Sequence, residues 1–481
     1  MGGATVAGQR RRVGAGWAVG LVLGVAAAAR AAPALPPEAL AALQRAGVPP
    51  EALSVVIADA GSQRRVLQWQ DSKPVNPASL TKLLTTAAAL DRLGPAYTYA
   101  TPVWLSGPIA NGVLEGSVFI KGSGDPKLVI ERVWLLLRRI QQLGVREIRG
   151  DIVLDSSAFA VPDTPPGEFD GEALRPYNVR PAALLFNFRS TSYTFTPDPA
   201  AGIARISADP ALAGTAVDRS VPLTAGACGD WRGALKADLD AGRARFAGSY
   251  AASCGEQTWA LADPQPASYE ARLITALWRE MGGQLQGSAR GGLAPVDVKP
   301  SFEQRSPALA ELVRDINKYS NNLMAQQLFL TLALQATPGS VATPEAARAA
   351  LLRWLTERLG PLNDEVVIDN GSGLSRETRI SAQRLAQVLL LAWDSPVMSE
   401  LMSSLPITGL DGTLRRSRAV PGRGHLKTGS LRDVTAVAGY VLSNSGKRYA
   451  LVAVVNHPQA AAARPALDAL VQWTMRDAPA R

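Results

Sequence analysis

Two cysteines and two histidines in 481 residues set the first limits. So few cysteines exclude a disulfide-rich secreted scaffold and a zinc site built on several thiolates. Any imidazole-based triad must use His425 or His457, so the chemistry is not expected to centre on histidine. Past the N-terminus there is no long Lys/Arg run, which leaves a nucleic-acid role without support. Nor is there a later stretch of about 18 uncharged apolar residues. The mature chain is therefore expected to be soluble, with at most peripheral membrane association. Disorder is excluded by a composition 47% hydrophobic and 19% charged with both signs mixed. The length exceeds what one core fills, so two or three domains are expected.

What is present begins with a leader. Arg10, Arg11 and Arg12 precede an apolar stretch from Val13 to Ala29, and Ala29-Arg30-Ala31 reads as a cleavage site. A membrane anchor is the other reading, but the stretch is short and rich in Ala and Gly. Residues 1–31 carry four arginines and no acid, so removing them lowers the net charge from +9 to +5. An exported, mildly basic protein suits an anionic envelope polymer, and the periplasm is the expected compartment. An oxidising compartment favours a disulfide between Cys228 and Cys254, 26 positions apart, over a Cys-x-x-Cys redox pair.

Along the chain, Glu38 to Arg45 is predicted helical, and Ser54–Ala60 and Arg65–Gln70 are predicted strands. A helix from about Ser79 to Leu93 follows Asn76-Pro77-Ala78 and stops at Gly94-Pro95. From Tyr97 to about Pro300, short β-runs alternate with Gly/Pro/Asp loops around one helix near Val129–Leu143. Helical periodicity returns over Pro307–Gln335, Pro344–Leu359 and Ser381–Asp394. Three β-runs, Leu426–Leu431, Val434–Leu442 and Tyr449–Asn456, precede a final amphipathic helix over Ala461–Met475. Strands at both ends flanking helices predict one sheet assembled from both termini, with about 200 residues inserted between.

Three short motifs carry candidate chemistry. In Ser79-Leu80-Thr81-Lys82 the i and i+3 side chains share a helix face, so Lys82 can take the proton that makes Ser79 a nucleophile. The lysine must be uncharged to do so, which desolvation or a neighbouring cation achieves. A capped helix start with a solvated lysine has the same spacing. In Lys427-Thr428-Gly429 a cation and a hydroxyl suit a carboxylate, and Gly429 lets a substrate backbone approach an edge strand. A strand with a glycine bulge reads alike. Ser320-Asn321-Asn322 offers a hydroxyl to relay a proton and an amide to hold a substrate, or simply a polar cap.

Ser-x-x-Lys, Ser-x-Asn and Lys-Thr-Gly in this order form the signature set of the serine penicillin-recognising enzymes, which the chain resembles along nearly its whole mature length. The 241 residues between Ser79 and Ser320 resemble the long insertion of class C penicillin-binding proteins, the D-alanyl-D-alanine carboxypeptidase/endopeptidase group. Gly122–Pro126, Pro176–Pro181, Asn317–Asn322 and Asp369–Arg376 match as well. The resemblance implies a serine DD-peptidase acting on peptidoglycan peptides through an acyl-serine and inhibited by β-lactams. Ser79 would be the nucleophile and Lys82 the base; Ser320 would pass the proton to the leaving amine and Asn322 orient the substrate amide. Lys427 and Thr428 would hold the terminal carboxylate, and the N–H groups of Ser79 and Ser430 would form the oxyanion hole. Arg376, with Glu172 or Asp170, would line a pocket for the diamino-acid side chain. Asn321 departs from the Asp common at that position. His425 would project to the same side of its strand as Lys427, and His457 is read as structural.

The implied fold is α+β. A β-lactamase/transpeptidase-like domain of antiparallel sheet flanked by helices covers residues 32–95 and 301–481. The β-rich insertion 96–300 is expected to hold two nested subdomains, the inner one at about 183–262. No metal or organic cofactor is required, because lysine and serine do the acid–base work. Two alternatives stand beside this reading. A serine β-lactamase needs a deacylating base, for which Glu357 is the acid at a plausible distance after Ser320. A non-catalytic wall-binding protein keeps the fold without the activity.

Overall fold

The computed structural model describes residues 1–5, 8, 35–240 and 242–477. The leader expectation for 1–31 therefore lies, apart from residues 1–5 and 8, outside the described residues. Among the described residues every helix and strand lies beyond Leu35.

A sheet built from both chain ends organises the region around Ser79. Its strands are β1 (Leu53–Asp59), β2 (Arg65–Trp69), β3 (Gly424–Leu431), β4 (Val434–Leu442) and β5 (Arg448–Asn456). The order is β2-β1-β5-β4-β3, antiparallel throughout, with Val56 opposite Val452 and Lys427 opposite Ala438. Alternation along β5 shows how the sheet is buried on both faces. Ala450, Val452 and Val454 enter one core, whereas Leu451, Ala453 and Val455 enter another. The second core is closed by α1 (Pro37–Arg45) and α7 (Arg464–Met475).

The first core is filled by helices α2 (Thr81–Leu93), α3 (Leu309–Tyr319), α4 (Asn322–Ala336), α5 (Pro344–Leu359) and α6 (Ala382–Trp393). Ten residues of α2 are buried, Thr81 to Leu90 without interruption. A helix buried on every side belongs at the centre of a bundle, and α2, which buries Thr81, Lys82, Thr85 and Thr86 along with its apolar residues, occupies that place. The helical block expected over Pro307–Gln335 is two helices. They part at Ser320, which adopts a left-handed φ of 55°, and Asn321 restarts the helix by accepting from the Met324 N–H at 3.0 Å. The periodicity runs through this break because both helices bury apolar faces in the same core.

Between residues 96 and 301 two further cores form. A five-stranded sheet including Ala100–Ser106, Ser117–Lys121, Ile152–Asp155 and Phe302–Arg305 packs on helices Ile130–Gln142 and Tyr269–Glu280. A second five-stranded sheet includes Ser190–Asp198, Ile203–Asp209 and Gln257–Ala262. Its core gathers Tyr193, Phe195, Phe246 and Tyr250, with Trp231 and Trp259 against it. The expected Cys228–Cys254 disulfide is formed beside this aromatic cluster. Among the described residues no helix is long and apolar enough to cross a membrane.

Candidate active site

Ser79 lies in a single 3-10 turn, Ala78–Leu80, rather than in the first turn of the α-helix it precedes. The turn begins with Ala78 at φ 47°, a conformation that costs a non-glycine residue about 1–3 kcal/mol. Asn76 holds it there. Its side chain accepts from the Ala78 N–H at 2.9 Å and donates to the Ser375 carbonyl at 2.9 Å. Asn456 of β5 then clamps the Asn76 backbone, accepting its N–H at 2.8 Å and donating to its carbonyl at 2.9 Å. The half-buried Ser79 is thus mounted on the sheet through two asparagines.

One turn on, Lys82 is fully buried with its Nζ 3.1 Å from Ser79 Oγ. The amine also donates to Asn322 Oδ1 at 2.7 Å and to the Ser372 carbonyl at 2.6 Å. Burial drives its pKa well below that of a free lysine, and the Lys427 cation pushes it the same way. A neutral amine has two N–H bonds and one lone pair. Asn322 Oδ1 and the Ser372 carbonyl oxygen can only accept, so in a neutral amine they take the two N–H bonds and the lone pair is left for the Ser79 hydroxyl. Such an arrangement can strip a serine of its proton.

Lys427, also fully buried, donates to Ser320 Oγ and to the Thr428 carbonyl, both at 2.8 Å. Burial lowers its pKa to about 7. The pKa values of both lysines are therefore depressed, and Lys427 keeps its proton below about pH 7 and gives it up above. The left-handed Ser320 brings its hydroxyl to Lys427, and Asn322, first residue of α4, reaches Lys82. The three sequence motifs thus meet in one cleft.

Gly429 is required for a different reason from the one expected. A Cβ there would lie 2.7 Å from the Pro77 carbonyl oxygen and 3.3 Å from Ala78 Cβ, so the room is taken by the serine turn itself. Thr428 Oγ1 shares a 2.7 Å hydrogen bond with Thr413, while Ser430 is exposed.

The loop Asp369–Arg376 supplies what the motifs leave out. Asn370 Oδ1 accepts from the N–H groups of Ser372 and Gly373 at 3.0 and 3.1 Å and from Ser372 Oγ at 2.8 Å, which aims the Ser372 carbonyl at Lys82. Gly373 has φ 77°, and a Cβ on it would meet the Ala78 carbonyl oxygen at 1.9 Å. The matching stretch pointed to this loop, but a backbone carbonyl leaves no side-chain signal. Thr413 had no signal either.

The expected side-chain pocket is assembled differently. Arg376 pairs with Asp433 at 3.1 Å and lies over the Phe169 ring at 4.9 Å. Glu172 does not reach it; its exposed carboxylate pairs with Arg175 at 3.2 Å. Asp170, next to Phe169, accepts from Tyr177 Oη and Asn178 Nδ2, each at 2.8 Å. Burial raises its pKa, but these donors outweigh burial and hold it below the usual carboxylate value. His425 points its Nδ1 into the interior without a hydrogen-bond partner, and burial lowers its pKa from 6.5. His457 Nδ1 accepts from the Gln459 N–H at 3.1 Å within its turn. Glu357 pairs with Arg92 near the C-terminal end of α2. That places it roughly 15 Å along the helix axis from Lys82, too far to serve Ser79. Among the described residues no group of three His, Cys, Asp or Glu side chains is placed to hold a metal ion.

This sheet, its helical cover and a serine beside two buried lysines define an α+β serine enzyme of transpeptidase-like fold. The family described as D-Ala-D-Ala carboxypeptidase 3 (S13) matches residues 39–477. The D-alanyl-D-alanine carboxypeptidase DacB of Haemophilus influenzae is 26% identical over 398 residues, 79% of this chain and 80% of the relative. The D-alanyl-D-alanine carboxypeptidase of Actinomadura sp. (strain R39) is 26% identical over 421 residues, 82% of this chain and 76% of the relative. Among solved structures, penicillin binding protein 4 (dacB) of Haemophilus influenzae superposes with a TM-score of 0.72 at 22% identity, covering 90% of this chain and 99% of that one. The Bd3459 predatory endopeptidase of Bdellovibrio bacteriovorus gives 0.53 at 16% identity, over 88% and 91%. The chain belongs to the D-Ala-D-Ala carboxypeptidase 3 (S13) family. It is a low-molecular-mass penicillin-binding protein and a serine-type DD-peptidase.

Proposed function

We propose that Ser79 Oγ attacks the carbonyl carbon of a penultimate D-alanine in a peptidoglycan peptide, giving up its proton to Lys82 Nζ. The observation that carries this reading is the buried Lys82 amine 3.1 Å from Ser79 Oγ with its two N–H bonds engaged elsewhere. The N–H groups of Ser79 and Ser430 hold the tetrahedral oxyanion, a contribution worth about 3–4 kcal/mol per donor. Collapse breaks the peptide C–N bond, and the proton passes through Ser320 to the leaving amine. Asn322 orients the substrate amide, and Lys427 and Thr428 hold the carboxylate next to the scissile bond. Water then attacks the acyl-serine ester and frees the enzyme.

The leaving group is D-alanine in a carboxypeptidase reaction, or the amine of a diaminopimelate cross-link in an endopeptidase reaction. Arg376, with Asp170 beside Phe169, lines the diamino-acid pocket; Glu172 is a less suitable wall because its carboxylate is engaged by Arg175. β-Lactams acylate Ser79 in place of substrate, in keeping with the β-lactam complex of the Haemophilus protein and the penicillin G acylated form of Bd3459. We place the protein in the periplasm. We also assign residues 32–95 and 301–481 to the catalytic part and 96–300 to an insertion, the inner unit lying at about 183–262.

Labelled penicillin tests the reading. It is expected to attach to Ser79, to persist for minutes or longer, and to be lost in Ser79→Ala. Rapid penicillin turnover is the β-lactamase outcome, and a folded protein that never labels is the wall-binding outcome. Incubation with muropeptides then separates loss of one alanine from conversion of dimers to monomers.

A further inference from the structure

The cleft continues past Thr428. Its neighbour Thr413 stands on the wall of a cavity of about 370 Å³ lined also by Tyr319, Gly412, Arg415, Arg416 and Arg464. Tyr319 directly precedes Ser320, so the cavity adjoins the cleft at both Ser320 and Thr428. Three guanidinium groups and no carboxylate line it. All three arginines are exposed, and among the described residues none has an acid within ion-pair distance. Asp468, one turn along from Arg464, offsets part of that charge, and the cations left in excess raise a local positive potential that attracts an anion.

The segment that carries two of them is fixed. Lys318, almost wholly buried, donates to Asp411 Oδ2 at 2.6 Å, and the Ile407 N–H donates to Asp411 Oδ1 at 2.7 Å. Asp411 immediately precedes the 3-10 turn Gly412–Leu414, which bears Thr413 and ends at Arg415. Arg464 enters from another direction as the first residue of α7. Thr413 and Arg415 are therefore mounted on the same frame as Ser320.

On the function proposed above, Thr428 holds the carboxylate next to the scissile bond. That is the whole anionic content of a departing D-alanine. A departing cross-linked peptide carries more, from its own acidic residue and its own C-terminus. We infer that Arg415, Arg416 and Arg464 form a leaving-side subsite for these additional carboxylates, which makes cross-linked peptides better substrates than a simple D-Ala-D-Ala terminus. This inference rests on the DD-peptidase reading and assigns the substrate class that the same cleft prefers.

The test compares kcat/KM for a purified cross-linked muropeptide dimer with kcat/KM for D-alanine release from a small diacylated D-Ala-D-Ala peptide. The proteins compared are the full chain and Arg415→Ala/Arg416→Ala/Arg464→Ala, with Arg415→Lys/Arg416→Lys/Arg464→Lys as a charge-retaining control. The dimer-to-small-substrate ratio is expected to fall about tenfold in the alanine variant, as for loss of charged contacts to substrate, and to be largely restored by lysine. Added salt should lower the ratio in the unsubstituted protein, because exposed charge pairs are screened. A ratio that does not move, or an equal loss on both substrates, overturns the subsite while leaving the DD-peptidase reading in place. An unsubstituted protein that neither labels with penicillin nor cleaves either substrate overturns both.

Discussion

Replacing Lys82 by Met tests the charge state on which the chemistry rests. In the unfolded chain the amine titrates at its ordinary value of 10.5, and in the folded protein burial and the Lys427 cation hold it far lower. Between those two values the unfolded state binds one proton more than the folded state, so stability rises with pH. The slope for one such group is about 1.4 kcal/mol per pH unit. Holding the amine below its unfolded value therefore costs folding free energy that Lys82→Met removes. The substitution also strands Asn322 Oδ1 and the Ser372 carbonyl, at about 1–3 kcal/mol each, which offsets part of that gain. The pH dependence is the sharper test. From pH 7 to pH 9 the unsubstituted protein should gain stability relative to Lys82→Met, by at most about 1.4 kcal/mol per pH unit. Denaturant unfolding of the two proteins at pH 7, 8 and 9 measures this, with penicillin labelling in parallel. Labelling should slow at least 10²-fold for loss of the general base. A stability difference that stays flat over those two pH units would mean a charged Lys82 in the folded state, and the neutral-base mechanism would be refuted.

Other consequences are as direct. Lys427 loses its proton near pH 7, so the penicillin acylation rate should decline as pH rises through about 7; a rate level to pH 9 would deny this lysine its cationic role. Gly373→Ala places a methyl group 1.9 Å from the Ala78 carbonyl oxygen at a backbone φ of 77°. It should destabilise the protein by several kcal/mol and abolish labelling, as read by thermal unfolding and gel fluorescence. Cys228→Ser/Cys254→Ser opens a loop of 26 positions, a loss of roughly 3–4 kcal/mol on the chain-entropy account. Hydrogen exchange should speed up in the sheet around Phe195 and Tyr250, while Ser79 still labels.

How much of this was readable beforehand depends on what kind of atom carries the role. The roles proposed for Ser79, Lys82, Ser320, Asn322 and Lys427 run through side chains at short local spacings, and motif order was enough to nominate them. The three terminal β-runs and the central helix were equally legible, since their apolar residues follow the periods of strand and buried helix. The division of the helical block at Ser320 was not, because one left-handed residue leaves the burial period intact on both sides. Glu172, with Asp170, was nominated because the resemblance calls for an acid in the inserted region, and a resemblance does not say that Arg175, three residues on, pairs with it.

Residue order by itself nominated the chemistry: a serine, a lysine one helical turn away and a second lysine on a strand. Only the tertiary structure decided that the pKa of this first lysine lies well below its ordinary value and which groups surround its amine. Those properties come from burial, from the Ser372 carbonyl 290 positions away and from a second cation, all of which are brought to Lys82 by folding. Proximity between distant segments is a product of packing, and no local pattern encodes it.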